Sequence, residues 1–295
     1  MHGDTGVFEQ HRGLLFGVAY RMLGSVAEAE DVVQEAWLRW QRADRGGVDD
    51  PRAYLVRVAS HAAIDHLRRA SVQRETYVGP WLPEPLLTDD DATGDVEVGE
   101  AVSVALLVVL ETLSPLERAV FVLHEAFGFT YPEIASALGR SEIAVRQLGH
   151  RARAHVHARQ PRFHPDRKLR RAVTERFLAA AVGGDLTALL KVLAPDVVLE
   201  VDGGGRTIAP RRALHGVDRV ARFFVARASA IPAGTQMQLR DVNGVPAALL
   251  AVDGVTYAVV TVEPDRGTGK AAVIRLIANP DKLVRLAAPG PAAGD

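Results

Sequence analysis

The chain of 295 residues is 48% hydrophobic and 24% charged, enough for two or three domains with real cores and too apolar for a disordered chain. It contains no cysteine, which excludes a disulfide framework, a thiolate zinc site and a cysteine nucleophile, and fits a reducing compartment. Its formal net charge of −1 conceals two unlike halves: residues 1–160 hold 16 Lys+Arg against 23 Asp+Glu (net −7), and residues 161–295 hold 19 against 13 (net +6).

The N-terminus lacks a basic stretch followed by an apolar one, and the longest apolar run, Val102 to Leu110, is too short to span a bilayer, so a cytoplasmic protein without a membrane partner is expected. Residues 7–74 read as helices. Ser25 and Glu28 form a capping-box pair. The helix that follows places Ala29, Val32, Val33, Ala36, Trp37 and Trp40 on one buried stripe, with Glu28, Asp31, Glu35 and Arg39 opposite and Gln34 at the margin. After the Gly46-Gly47 loop, Asp50 and Pro51 open a second long helix that buries Leu55, Val58, Ala59, Ala62 and Leu67. It carries Arg57, Arg68, Arg69 and Arg74.

Between Arg74 and Arg118 there is no lysine, arginine or histidine, while Asp89, Asp90, Asp91, Asp95, Glu97 and Glu100 crowd the same stretch. Two arginine-tipped helical modules held apart by a segment without positive charge suggest two nucleic-acid contacts joined by a tether that avoids nucleic acid. Pro80, Pro83 and Pro85 oppose helix there, and the apolar island Trp81 to Leu87 is costly to leave in water, so it is expected to dock.

From about 101 to 159 the punctuation is clear. Ser114-Pro115-Leu116-Glu117 and Thr130-Tyr131-Pro132-Glu133 are capping boxes, Gly139 closes a helix, and Ser141 opens the next, which gives a helix-turn-helix. On its last helix Arg146, His150, Arg153 and His157 share the outer face, flanked by Gln147 and Arg151, while Val145, Leu148, Ala152 and Val156 turn inward. Hydrogen-bond donors on the outer side of such a helix suit a DNA major groove; the plainer alternative is a solvated basic helix. Beyond residue 168 two helices precede short runs at Val197–Val201, Gln236–Val242, Ala247–Val252, Val255–Val262 and Lys270–Ala278. Turn signals Asn243-Gly244 and Asp253-Gly254 predict an antiparallel meander with helices on one face, an α+β domain.

These motifs resemble a known family. Ala29 through Leu38 is similar to the core-polymerase-binding helix of sigma-70-family initiation factors, Tyr54 through Arg69 to their promoter −10 helix, and Leu113 through Arg153 to their −35 domain. Two such modules with a short linker resemble the extracytoplasmic-function (group IV) sigma factors. Trp81-Leu-Pro-Glu-Pro-Leu86, Asp202-Gly-Gly-Gly205 and Asn279-Pro-Asp-Lys-Leu283 resemble the sigma-J-like subgroup with a SnoaL-like, NTF2-fold C-terminal domain.

The resemblance implies a multidomain chain. It comprises a sigma-2 helical bundle at 7–74, an acidic linker at 75–104, a sigma-4 helix-turn-helix at 105–160 and an α+β NTF2-like cone at 168–290. It implies that Asp31, Gln34 and Glu35 meet core RNA polymerase, that Arg57, His61, Arg68 and Arg69 hold the melted −10 strand, and that Arg146, Gln147, His150, Arg151 and Arg153 hold the −35 duplex. Trp81, Leu82, Pro83 and Asp202, Gly203, Gly204, Gly205 are then the interdomain docking residues, the acidic tract around Asp89–Asp91 mimics nucleic acid, and the cone regulates the sigma modules.

His61 stands where many relatives have asparagine, and Ala144 and Leu148 where threonine and arginine are common, so neither promoter element's base preference carries over. No cofactor or metal is expected, and the cone admits a small-molecule ligand. Two alternatives are a stand-alone DNA-binding regulator with a ligand-sensing domain, and a SnoaL-like cyclase or hydrolase using Asp202, His215 and Asp218.

Overall fold

The computed structural model describes residues 3–44, 47–88, 103–159 and 165–286, and for residues 3–5 and 71–75 the backbone alone. The chain divides into two compact units: residues 1–75 with 91–160, and residues 76–90 with 161–295.

The first unit is all helix. α1 (Gly3–Leu23), α2 (Val26–Arg42) and α3 (Pro51–Glu75) pack on one another, and α4 (Val104–Leu110), α5 (Pro115–Phe121), α6 (Tyr131–Leu138) and α7 (Glu142–Arg159) complete it. The starts fall where the caps require. Ser25 Oγ accepts from the Glu28 amide, Asp50 from Ala53 and Ser141 from Ala144, while Ser114/Glu117 and Thr130/Glu133 close both bonds of their boxes. Gly139 ends α6 in the left-handed conformation, φ +61°. Residues 122–126, between α5 and α6, form a short π-helix.

The expectation that the stretch without positive charge holds the two helical modules apart is corrected here, because α3 packs against α5 and α6. Arginines join the modules, Arg21 and Arg118 buried and Arg52 exposed. Arg118, 3% exposed, donates to the Met22 carbonyl at the end of α1 and to Glu111, both at 2.6 Å, and burial pulls its guanidinium down to about 9. Arg21 lies 4.6 Å over the Phe127 ring and Arg52 4.3 Å over Phe129. Apolar cores run on both sides of this seam, through Leu15, Met22, Leu55 and Ile64 and through Leu107, Leu123, Ile134 and Val145. Each such side chain contributes about 1.5–3 kcal/mol on full burial.

The second unit is a six-stranded sheet, β1 (Leu193–Asp202), β2 (Leu214–His215), β3 (Gln236–Val242), β4 (Val245–Val252), β5 (Val255–Pro264) and β6 (Ala271–Ile277), with α8 (Arg167–Val182), α9 (Leu186–Val192) and α10 (Val217–Ala228) against it. The order is β2-β1-β6-β5-β4-β3. Asn243 and Asp253 adopt φ of +53° and +50° with glycine after each, so β3–β4 and β4–β5 are tight hairpins as expected.

The antiparallel expectation fails for β1, which pairs parallel with β6. Hairpin signals specify only sequence neighbours, and the connection from β1 runs through β2 and α10 before the meander returns β6 alongside it. α10 and β2 are additions to the elements read from sequence. Phe177 and Phe224 meet edge to face at 5.0 Å in a core with Leu199, Val220, Val260 and Ile274.

Candidate nucleic-acid interface

On α2, Asp31 and Gln34 are exposed, and Glu35 is half-buried and paired to Arg39 at 2.5 Å. Leu38 is 48% exposed beside them, so this face offers both carboxylates and an uncovered apolar side chain. Trp37, expected in the buried stripe, is half-buried against Phe8, ring centroids 4.9 Å apart, and Trp40 takes the core position.

The α2–α3 corner holds a cavity of about 470 Å³ lined by Arg39, Arg42, Tyr54, Arg57, Val58 and His61. Three arginines, an imidazole and an aromatic ring, with no carboxylate in the lining, suit an unstacked base and its phosphate. Arg57 lies 5.2 Å over the Tyr54 ring. The arginines further along α3 are outside this cavity: Arg68 pairs with Asp65 at 3.1 Å and Arg69 donates to the Asp65 carbonyl, both exposed. His61 Nε2 lies 3.0 Å from the Ala137 carbonyl near the end of α6, so in this arrangement the −10 candidate is held by the helix-turn-helix.

On α7, Arg146, Gln147, His150, Arg151 and His157 are exposed, while Val145, Ala152 and Val156 are buried; Leu148, expected inside, is half-buried. Acids from the same module hold the arginines in place. Arg146 pairs with Glu142 at 2.6 Å and lies 4.9 Å over the Tyr131 ring, Arg151 pairs with Glu117 at 2.9 Å, and Arg153 with Glu125 at 3.6 Å. The Ser114 hydroxyl, and then Arg151, hold the Glu117 carboxyl below its ordinary range. Gly149 is closely packed, since a Cβ there would stand 3.0 Å from the Tyr131 ring, which would have to give by a few tenths of an ångström.

The docking candidates converge in the second unit. Asp202, fully buried at the end of β1, accepts from Tyr77 Oη at 2.5 Å, the Leu82 amide at 2.8 Å, Lys282 Nζ at 2.7 Å and the Gly204 amide at 3.1 Å. Lys282 also donates to the Leu82 carbonyl and lies 4.2 Å over the Trp81 ring. Leu82 and Pro83 are buried. Leu86 exchanges bonds with Asn243, its amide reaching Oδ1 at 3.1 Å and its carbonyl taking the Asn243 amide at 2.8 Å, and Leu87 bridges Val242. Burial, reinforced by the bond to Asp202, pushes the Tyr77 phenol well above its ordinary value.

The glycines leave room for the strip and its anchors. A Cβ at Gly203 would lie 2.5 Å from Thr207 Oγ1, at Gly204 2.4 Å from the Asn279 side chain, and at Gly205 3.4 Å from Val78. Sequence reasoning left Tyr77, Asn243, Asn279 and Lys282 out of this site; the Asn279-Pro-Asp-Lys282 tract was the available signal. The acidic tract at Asp89, Asp90 and Asp91 lies outside the described residues. Among the described residues no group of three His, Asp or Glu could hold a metal, and no helix is long and apolar enough to cross a membrane.

Comparison with known proteins agrees with this geometry. The Sigma-70 region 2 family model matches residues 7–72 and the Sigma-70 region 4 model residues 103–156. The chain is 41% identical over 297 residues to the ECF RNA polymerase sigma factor SigJ of Mycobacterium tuberculosis, covering 95% of this chain and 93% of that one. It is 35% identical over 282 residues to the probable ECF RNA polymerase sigma factor SigI of the same species, covering 95% and 94%. The crystal structure of M. tuberculosis SigJ superposes with a TM-score of 0.73 at 38% identity, over 95% of this chain and 98% of that one. The chain belongs to the extracytoplasmic-function sigma factors of the sigma-70 family, transcription initiation factors that bind core RNA polymerase and promoter DNA.

Proposed function

We propose that the exposed Asp31, Gln34 and Leu38 face of α2 docks on core polymerase, that α7 holds the −35 duplex through Arg146, Gln147, His150, Arg151 and Arg153, and that the α2–α3 cavity takes a base of the melted −10 strand. The observation that carries this reading is the cavity: an open surface pocket with Arg39, Arg42, Arg57 and His61 around Tyr54 offers donors for phosphate and a ring on which an extruded base can stack. Arg68 and Arg69 track the strand backbone beyond it.

Distance then requires a conformational change. The centres of a −35 and a −10 element lie about 25 base pairs apart, roughly 85 Å at the duplex rise. A compact unit of this size measures about 40 Å across. α3 and α6 must therefore part, breaking the His61 contact to Ala137, before both elements are held at once. Core polymerase, binding the open form better, supplies the shift.

The second unit is a regulator and not a catalyst. Both Asp202 oxygens are consumed by donors, His215 and Asp218 are exposed, and none of the three lines the apolar cavity of that unit. By gripping residues 77–88, immediately after α3, it controls the slack available for opening.

Run-off transcription with core polymerase, on promoters selected from a random library, tests the reading. The full chain should give promoter-dependent product, and Arg57→Ala with His61→Ala should lose it while still co-purifying with core. Undiminished product from the double variant would sink the assignment of the cavity.

A further inference from the structure

The second unit contains a cavity of about 780 Å³ between the sheet and helices α8 and α10, within the range of small-molecule sites. Its walls are rings and branched chains, among them Phe177, Phe223, Phe224, Leu250 and Val260. Three further features bear on what would occupy it. Thr256, 5% exposed, lines the cavity, and its hydroxyl has no hydrogen-bond partner. A buried, unsatisfied hydroxyl on a residue lining an apolar cavity carries a cost that a ligand oxygen reaching it would remove.

Among the described residues Arg227 is the sole charged side chain in the lining, and no carboxylate accompanies it. It donates to the Ile208 carbonyl and lies 5.5 Å from the Phe223 ring, which fixes the guanidinium with donors to spare. Finally, the lining includes four apolar side chains that are uncovered: Ile208 at 85% exposed, Val284 at 81%, Val255 at 69% and Val182 at 51%. Such a rim suits passage of an apolar body from water.

We propose that this cavity binds an apolar carboxylic acid, with its carboxylate on Arg227, its chain or rings among the phenylalanines, and a hydroxyl or carbonyl on that body meeting Thr256. A cation would find no partner, and a neutral chain would leave Arg227 unused. The site is read by binding alone, so it stands or falls separately from the transcription assignment.

Calorimetric titration of the full chain with dodecanoate, dodecanol and dodecylammonium, all below micelle formation, is the test. Dodecanoate should bind at least about tenfold tighter than the other two, the size of one charge-assisted contact. Arg227→Gln, at a half-buried position near the mouth, should erase that preference. Ala258→Trp should abolish binding by filling the space. Thr256→Val should leave dodecanoate unchanged or tighter, and should weaken several-fold at least one member of a series of hydroxy- and oxododecanoates. Equal binding of the three chains, indifference to Arg227→Gln, or no binding at all would overturn the proposal. So would a chain that sediments as a dimer, binds no dodecanoate and dissociates on Ile208→Ser with Val284→Ser, since the rim would then be covered by a second copy.

Discussion

The arginine-lined cavity at the α2–α3 corner of the first unit and the apolar cavity of the second have opposite linings. The cavity of the first unit is walled by arginines, histidine and tyrosine; that of the second is walled by phenylalanine, leucine and valine with a single guanidinium. A helical corner that gathers three arginines, of which Glu35 pairs one, suits a polyanion, because phosphate relieves the repulsion among them. A sheet face that leaves an apolar space open is organised for something that brings its own hydrophobic surface.

The largest effects should come from breaking one side of this contrast. Arg57→Ala with His61→Ala removes two groups from the polar cavity, and at about 1–3 kcal/mol per contact should lower promoter opening by well over tenfold, with −35 duplex binding unchanged by mobility shift. In the second unit, Asp202→Asn takes away the charge that faces Lys282. It should cost about 3 kcal/mol in the urea midpoint of that unit and expose the Leu82 amide to hydrogen exchange. An unprotected Leu82 in the wild-type chain would break the comparison, because the strip would then not be part of the second unit.

Smaller effects sharpen it. Arg146→Ala should reduce the slope of log affinity against log salt for −35 duplex by about 1. Smallest is the titration of Tyr77. Its phenol is held neutral by burial and Asp202, so its folded pKa lies above the unfolded value. Its contribution to stability is whole below the ordinary tyrosine value of 10.0 and is lost as pH rises from there through the folded pKa. Ultraviolet difference absorbance should show a tyrosine ionisation above the ordinary value, and Tyr77→Phe should remove that step.

Helix boundaries were legible from Ser25, Asp50, Ser114, Thr130, Gly139 and Ser141, since a cap is a local event. The hairpins at Asn243-Gly244 and Asp253-Gly254 were legible for the same reason. What sequence did not reveal was long-range. The parallel pairing of β1 with β6, the seam between α3 and α6, and the recruitment of Tyr77 and Lys282 to the expected docking residues Leu82 and Asp202 all depend on topology. Nor could periodicity foresee an apolar cavity, because Phe177 and Phe224 have the same spacing whether a core is filled or hollow.

The most direct measurement concerns the seam between α3 and α6. The chain has no cysteine, so Ala53→Cys on α3 with Ala137→Cys on α6, which line one cavity between these helices and lie outside the arginine-lined one, can be joined by a short reducible bis-thiol cross-linker. Permanganate reactivity of −10 thymines would then be followed with core polymerase and promoter. The free double variant and the wild-type chain should show reactive thymines, the cross-linked chain protected ones, and reduction should restore reactivity. Reactive thymines in the cross-linked chain would contradict the requirement that the seam opens to initiate.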